Sequence, residues 1–295
     1  MHLPTLLFAA VTLAALAARA GAAQLEFGAQ GAEGEPYRLQ QWLVPSSDPA
    51  IASHAVLFRP SGDGPFPLAV IAHASTQNAL RRAQMPQPEY RALAAWLVAR
   101  GFAVLVPERP GHGATGGKYR EDQGGCDEAD YAGAGRATAD DIAAAIGLLR
   151  KQSFIRPGGV VVIGHSAGAW GALALASTKD VAAVIAFAPG RGGHANDLPD
   201  AICAPQTLKA AAAEFGKRAK APVTWFVAAN DTYFAPAFSR ELADAFRGAG
   251  GRVDFHVLAA SGSEGHWLPE TESGVKLAAP ELERALKPAH PAQKR

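Results

Sequence analysis

The sequence predicts an α/β fold in which a mostly parallel, eight-stranded sheet is covered by helices on both faces. Three observations support this prediction. Short apolar runs alternate with segments of helical periodicity from residue 38 onward. Most of the runs contain few polar residues, which is typical of strands buried on both faces. Hydrophobic residues make up 48% of the 295 residues, enough to fill a large core.

The predicted strands begin with an antiparallel pair at the edge of the sheet. Residues 38–44 and 54–58 are strand-like and are joined by a short turn-rich segment. Six further apolar runs are predicted to form the parallel strands: residues 68–72, 102–106, 160–163, 181–187, 223–228 and 253–258. Helices are predicted over residues 89–100, 138–151, 167–177, 208–218, 236–246 and 280–286. Gly101 follows the first of these as a C-terminal cap signal.

The first 23 residues have the composition of a signal peptide. Residues 3–17 form an apolar run of the length of a signal core, which is too short for a comfortable membrane span. Small residues in overlapping A-x-A patterns follow this run. We therefore expect cleavage between Ala20 and Ala23, export to the periplasm or the cell exterior, and no stable membrane span afterwards. An uncleaved anchor and an ordinary buried helix are the alternatives.

Residues 24–295 are expected to form a single domain with two loop insertions. Residues 111–135 are rich in glycine and polar residues, and residues 190–220 combine loop-like sequence with an alanine-rich helix. Both segments leave the carboxyl ends of predicted strands, the edge at which open α/β sheets bind ligands. We expect them to form walls of a substrate cleft. Four residues near that cleft are candidates either for lining it or for packing: Trp170, Arg191, Tyr233 and Trp267.

The chain has two cysteines, Cys126 and Cys203, and both lie in loop-like sequence. Export would place them in an oxidising compartment, where they could form a disulfide. Two unrelated buried thiols are the alternative. Neither a C-x-x-C pair nor an H-E-x-x-H helix occurs in the sequence, so no metal site is expected.

The charge distribution bears on the partners of the protein. The formal net charge is only +1, and no run of basic residues stands out. Nucleic acid is therefore not expected as a partner, because binding to phosphates requires a clustered positive surface. The sequence does not indicate the oligomeric state.

The strongest chemical signal is the pentapeptide Gly-His-Ser-Ala-Gly at residues 164–168. A β-branched run leads directly into it and a helical segment follows, which is the context that a G-x-S-x-G nucleophile motif requires. The glycines allow a sharp turn that lifts the hydroxyl of Ser166 clear of the sheet, and the helix directs its N-terminus at the reacting centre. We predict Ser166 as the nucleophile. A glycine–serine turn without chemistry is the alternative.

A serine hydroxyl needs a base to take its proton and a carboxylate to orient that base. In this architecture the acid and then the histidine follow the serine along the chain. Asp231 comes just after the predicted strand at residues 223–228, and His266 lies in a small-residue loop after the last predicted strand. We predict Asp231 as the orienting acid and His266 as the general base. Capping or turn roles are the alternatives.

The other histidines and acids are expected in structural or surface roles because of their positions. Those inside a strand pattern, in the pentapeptide or in the loop insertions are Asp254, His256, His165, His112 and His194. The two histidines of the insertions, His112 and His194, could also line the cleft. Glu264 lies in the right loop but is too close in sequence to His266 to orient it easily.

Acyl transfer also needs two backbone N–H groups aimed at the carbonyl oxygen as it becomes charged, the oxyanion hole. Ala167, directly after the nucleophile, is predicted to supply one of them. The second is expected from the segment that follows the strand at residues 68–72. Within that segment we favour the N–H of Ser75 over that of Ala74.

The sequence resembles the α/β-hydrolase superfamily and looks most like its dienelactone-hydrolase-like branch of small esterases. The resemblance covers most of the chain after residue 23 and rests on residues 73–74, 108–115, 164–168, 231 and 265–266. Its departures are Ala74 for glycine, Glu108 for aspartate, Thr115 for serine, and a serine nucleophile where dienelactone hydrolases have cysteine. The resemblance implies an α/β-hydrolase fold and a Ser-His-Asp hydrolase that acts on a small-molecule substrate without a cofactor.

Three functions fit these observations. We predict a serine esterase that cleaves carboxylic esters through an acyl-enzyme. An amidase or peptidase with the same triad is the second, but such relatives usually carry an extra domain, and too few residues precede Leu39 for one. The third is an exported binding protein on a hydrolase scaffold that has lost catalysis. The presence of all three triad residue types argues against it.

Overall fold

The computed structural model describes residues 26–287, and the predicted signal peptide lies outside these residues. The described chain forms one sheet of nine strands: β1 (Gly28–Ala29), β2 (Gln40–Pro45), β3 (Ala52–Phe58), β4 (Leu68–Ala72), β5 (Ala103–Pro107), β6 (Val160–His165), β7 (Val181–Phe187), β8 (Val223–Ala228) and β9 (Val253–Leu258). Their order across the sheet is β1-β2-β3-β5-β4-β6-β7-β8-β9.

The strand directions confirm the predicted α/β architecture. The pairs β1–β2, β2–β3 and β3–β5 are antiparallel, and every pair from β5 across to β9 is parallel. The ninth strand, β1, is a two-residue addition at the edge beside β2. So short a strand leaves no apolar pattern, which is why the sequence predicts only eight.

Seven α-helices are present within the described residues: α1 (Ala79–Ala83), α2 (Arg91–Val98), α3 (Tyr131–Leu149), α4 (Ala167–Leu175), α5 (Pro205–Arg218), α6 (Pro236–Gly248) and α7 (Glu272–Leu286). Two short 3₁₀ helices cover Ala195–Asp197 and Gly265–Glu270. The short helix α1 is not among the predicted helices. Three others begin earlier than predicted: α5 by three residues, and α3 and α7 by more.

The early start of α3 has a local cause. Asp130 precedes the helix and accepts the N–H of Gly133 at 2.7 Å, so the helix is capped before the predicted residue 138. The glycines of this first part suggest a loop, but Gly135 is required by packing. A Cβ atom there would lie 2.6 Å from the ring of Phe215.

The early start of α7 follows the same principle. Thr271 caps the helix by accepting the N–H of Gly274 at 3.1 Å. Pro280, predicted as the first residue, therefore lies inside the helix. A proline there removes one backbone hydrogen bond, and the burial of Val275 and Leu282 compensates for that loss.

Two apolar layers cover the two faces of the sheet. Consecutive side chains of a strand point to opposite faces; in β4, Val70 joins one layer and Ile71 joins the other. The helices α3, α4, α5 and α6 cover the first face, where Trp170 is wholly buried. The helices α2 and α7 cover the second, with Leu93 and Leu282 in contact with the strands.

A disulfide joins Cys126 and Cys203, whose Cα atoms are 5.1 Å apart across a separation of 77 residues. Cys203 is also held through its backbone, since its N–H donates to the carbonyl of Gly192 at 2.8 Å and its carbonyl accepts the hydroxyl of Tyr131. Closing a loop of this size stabilises a fold by about 4 kcal/mol in the chain-entropy description. The bond thus ties the segment before α3 to the segment before α5.

Two kinds of feature are absent from residues 26–287. No helix in this part of the chain combines the length and the apolar character needed to cross a bilayer. No group of three or more histidine, cysteine, aspartate or glutamate side chains there is arranged to hold a metal ion.

Candidate active site

Ser166 lies at the sharp turn between β6 and α4. Its backbone has φ 53° and ψ −118°, a conformation that costs a residue with a side chain about 1–3 kcal/mol. The flanking glycines permit this turn by allowing close approach. A Cβ atom on Gly164 would lie 2.3 Å from the Cα of Ala169. One on Gly168 would lie 2.2 Å from the carbonyl oxygen of Ala72.

Asp231 and His266 are joined by a buried hydrogen bond. Nδ1 of His266 donates to Oδ2 of Asp231 at 3.1 Å, and the two side chains are 1% and 0% exposed. The other carboxylate oxygen of Asp231 accepts the N–H groups of Tyr233 and Phe234, each at 2.9 Å. These bonds fix the carboxylate, which in turn fixes the ring of His266 with Nε2 as its basic nitrogen.

The hydroxyl of Ser166 and the imidazole of His266 line one cavity. The hydrogen bond between a nucleophilic hydroxyl and its base is often long or poorly aligned until substrate binds. Burial lowers the pKa of His266, and the hydrogen bond and charge of Asp231 oppose that shift. The imidazole is therefore neutral at pH 7 and able to accept a proton.

The two predicted oxyanion donors lie at the same cavity as Ser166. Ala167 is the first residue of α4, where backbone N–H groups have no partner within the helix. Ser75 follows β4, and both residues line the cavity. The N–H of Ala74 donates to the hydroxyl of Tyr90 at 3.1 Å. Because that alternative donor is already used, the geometry favours Ser75 beside Ala167.

A buried histidine anchors the side chain of Ser75. Nδ1 of His112 lies 3.0 Å from the carbonyl of Arg109 and 3.2 Å from that of Pro110, so it carries the proton. Nε2 then accepts the hydroxyl of Ser75 at 2.7 Å. Burial lowers the pKa of His112 to about 4, which keeps the ring a neutral acceptor. His112 therefore holds the side chain of Ser75 and is not among the residues that line the cavity.

His165, the variable residue of the pentapeptide, connects three parts of the site. Its Nε2 donates to the carbonyl of His266 at 2.8 Å. Its Nδ1 lies 2.9 Å from the hydroxyl of Tyr90 and 3.2 Å from the carboxylate of Glu270. Tyr90 also accepts the N–H of Ala74. Hydrogen bonds therefore connect the segment after β4, the turn that carries Ser166 and the loop that carries His266.

The cavity beside Ser166 has a volume of about 860 Å³. The predicted insertions supply one side of it, with Tyr119 and His194 among the lining residues. The facing side, within residues 76–91, is not anticipated by the pattern of strands and helices. Of the four candidates for the cleft, Arg191, Tyr233 and Trp267 line the cavity, whereas Trp170 is buried in the core.

A buried ion cluster supports the wall formed by the insertions. Glu121 is wholly buried, and its carboxylate accepts bonds from Arg191 at 2.5 Å and from Arg109. Burial raises the pKa of Glu121, but the two guanidinium groups outweigh it and hold that pKa far below its usual range. Arg191 also donates to Thr138 of α3 at 2.8 Å. The buried carboxylate is therefore paired with two cations, and Arg191 ties the wall to the core.

Comparison with known proteins assigns this arrangement to a family. The model of the dienelactone hydrolase family matches residues 54–263, which is more than half of the chain. The chain belongs to the dienelactone hydrolase family. No curated protein has a significant match to the sequence.

Solved structures show the same α/β-hydrolase fold. An esterase from Pyrococcus furiosus is 16% identical, with coverage of 85% of this chain and 92% of that one and a TM-score of 0.61. A cold-adapted esterase from an Arctic intertidal metagenomic library is 15% identical, with coverage of 88% and 99% and a TM-score of 0.56. An acylaminoacyl peptidase from Pyrococcus horikoshii is 16% identical, with coverage of 86% and 42% and a TM-score of 0.60. Family and fold together identify a hydrolase.

In this member of the dienelactone hydrolase family, Glu264 connects the loops that carry Asp231 and His266. Its Oε1 accepts the N–H of His266 at 3.0 Å and the N–H of Thr232 at 3.1 Å. Its Oε2 accepts the hydroxyl of Thr232. As its position in the sequence predicts, Glu264 does not orient the imidazole of His266. Its carboxylate holds the backbone of His266 and of Thr232 instead. Its role as cap of the 3₁₀ helix Gly265–Glu270 is the signal that could have revealed it.

Loss of the Glu264 carboxylate should impair catalysis without unfolding the protein. We expect Glu264→Ala to lower kcat about 10- to 100-fold with little change in KM, because small displacements of a base are costly. Glu264→Gln should retain more activity, since an amide oxygen still accepts the two N–H groups. The measurement is p-nitrophenyl acetate hydrolysis, with circular dichroism as the folding check. Glu241→Ala, which removes an exposed partner of Lys209, serves as the control. A folded Glu264→Ala protein with wild-type kcat would contradict this role.

Proposed function

We propose that this protein is a serine esterase that cleaves carboxylic esters with Ser166, His266 and Asp231. One observation carries the proposal: a strained serine at the turn after β6 shares a cavity with a histidine that a buried aspartate orients. Strain of this kind persists only where the surrounding structure enforces it, and such residues cluster at reactive sites. Membership of a hydrolase family supports a hydrolytic function.

The first half of the proposed reaction forms an acyl-enzyme. Oγ of Ser166 attacks the ester carbonyl carbon while Nε2 of His266 takes the hydroxyl proton. The N–H groups of Ala167 and Ser75 stabilise the oxyanion of the tetrahedral intermediate. The carbon–oxygen bond to the alcohol then breaks, and the leaving alkoxide receives the proton from His266. Asp231 stabilises the imidazolium while it carries that proton.

The second half releases the acid. Water enters the cavity and gives a proton to Nε2 of His266 as its oxygen attacks the acyl carbon. The same backbone donors stabilise the second tetrahedral intermediate. Collapse of that intermediate expels Oγ of Ser166, which takes the proton back from His266. The enzyme returns to its starting state, and no cofactor enters any step.

We also propose export to an oxidising compartment. The composition of residues 1–23 supports this, as does the Cys126–Cys203 disulfide, since such bonds persist mainly outside the cytosol. The disulfide lies between the two insertions that border the cavity. Oxidation would therefore stabilise the wall of the site as well as the fold.

Ser166→Ala is the direct test of the proposed nucleophile. We expect it to abolish labelling by a fluorophosphonate probe and to lower kcat for p-nitrophenyl acetate by about 10⁴-fold or more, because no other hydroxyl replaces Oγ. Ser177→Ala, at the far end of α4, should retain both activities. Undiminished labelling of folded Ser166→Ala would identify a different nucleophile. Faster cleavage of p-nitroanilides than of matched esters would favour an amidase.

The pH profile tests the proposed base. His266 must be neutral to take the proton, and burial lowers its pKa. Activity should therefore rise with pH through a midpoint below the ordinary histidine value of about 6.5 and stay high at neutral pH. The measurement is kcat/KM for p-nitrophenyl acetate between pH 4 and pH 8. His256→Gln, a change on β9, should leave the midpoint unchanged. A midpoint above pH 7 would argue against a buried imidazole as the base.

A further inference from the structure

The cavity beside Ser166 is unusual in what lines it. Within residues 26–287, no leucine, isoleucine or valine side chain lines this cavity. Its walls consist mainly of polar, charged and aromatic side chains together with glycines, prolines, two alanines and Met85. Most small-molecule pockets are mainly apolar with few polar groups. The apolar part of the lining is therefore mainly aromatic, and it lacks the branched aliphatic side chains that pack along a long alkyl chain.

Trp267 presents an exposed aromatic ring at the wall next to the base. The residue is 41% exposed and lines the cavity. Its indole makes edge-to-face contacts with His165, His266 and Tyr233, with centroid distances of 5.5, 5.4 and 6.0 Å. Three such contacts fix the plane of the ring, so its exposed surface is preorganised. A rigid, partly exposed indole suits the C–H face of a sugar ring.

Glu270 supplies a fixed hydrogen-bond acceptor in the same cavity. Its side chain is 42% exposed, its carboxylate bonds the hydroxyl of Tyr90, and Nδ1 of His165 lies 3.2 Å away. A carboxylate offers about four acceptor positions, so it can still accept hydroxyl groups from a ligand. Asp197 and Asn78 add polar groups from the other walls of the cavity.

We infer that the alcohol portion of the substrate is polyhydroxylated, as in a sugar esterified with a short acyl group. This inference rests on the proposed ester hydrolysis at Ser166. The sugar ring packs on Trp267, and its free hydroxyl groups donate to Glu270. An alkyl alcohol of the same size leaves the carboxylate without a donor, and sites built for hydroxyl groups discriminate strongly against such analogues.

The test compares two acetate esters with rings of similar size. One is methyl 4-O-acetyl-β-D-xylopyranoside, which keeps two free hydroxyl groups, and the other is cyclohexyl acetate, which has none. We expect kcat/KM for the sugar ester to be at least about tenfold higher. Trp267→Ala and Glu270→Gln should each lower that ratio about tenfold, and Trp267→Phe should restore most of it. Phe27→Ala, beside β1, is the matched control because Phe27 is also 41% exposed and does not line the cavity.

The outcomes separate this inference from the proposed function. A ratio near or below one in an enzyme that cleaves p-nitrophenyl acetate and labels at Ser166 would overturn the sugar-ester inference alone. An unchanged ratio in folded Trp267→Ala and Glu270→Gln would do the same. Absence of both labelling and ester turnover in the folded wild-type protein would overturn the proposed function and the inference with it. The expected ratios in an enzyme labelled at Ser166 would support both.

Discussion

The buried hydrogen bond between Asp231 and His266 is the interaction on which the site depends. A carboxylate taken out of water is costly unless every face of it is paired, and here two backbone N–H groups and the imidazole provide those partners. The two residues follow different strands, β8 and β9. The bond therefore requires the parallel register in which Ala228 lies opposite Leu258 at the ends of these strands.

Other contacts connect the Asp231–His266 hydrogen bond to the rest of the site. Glu264 holds the two loops at their backbones, and His165 bonds the carbonyl of His266 from the turn that bears Ser166. The strained turn is in turn stabilised by α4, which is buried almost completely between the sheet and α3. Gly171 of α4 makes this packing possible, since a Cβ there would lie 2.3 Å from Thr138. The proposed donors and the proposed base are thus held in place by parts of the core.

The strands and the proposed triad residues could be predicted, because they depend on periodicity and motif spacing in the sequence. The strand patterns indicate all eight of the longer strands: the central ones are nearly uninterrupted apolar runs because both of their faces are buried, and β2 and β9 at the two sides alternate with polar residues. The same pattern places residues 164–168, Asp231 and His266 after parallel strands, whose carboxyl ends share one edge of the sheet. The structure does bring Ser166 and His266 to one cavity and Asp231 to the ring of His266.

Features that depend on contacts distant in sequence are not predictable in this way. The glycines at the start of α3 suggest a loop, but Gly135 is required there by the approach of Phe215. The wall within residues 76–91 has neither strand nor long helix to mark it. Glu264 looks unsuited as a partner of His266 because its role lies in backbone hydrogen bonds. Such roles become visible only once the chain is folded.

A crystal structure of the enzyme after reaction with a short alkyl fluorophosphonate is the most direct measurement of the central claim. The account predicts phosphorus bonded to Oγ of Ser166 and the phosphonyl oxygen about 2.7–3.1 Å from the backbone nitrogens of Ala167 and Ser75. The ring of His266 should face the adduct and keep its bond to Asp231. An adduct on another residue, or a phosphonyl oxygen turned away from both nitrogens, would contradict it.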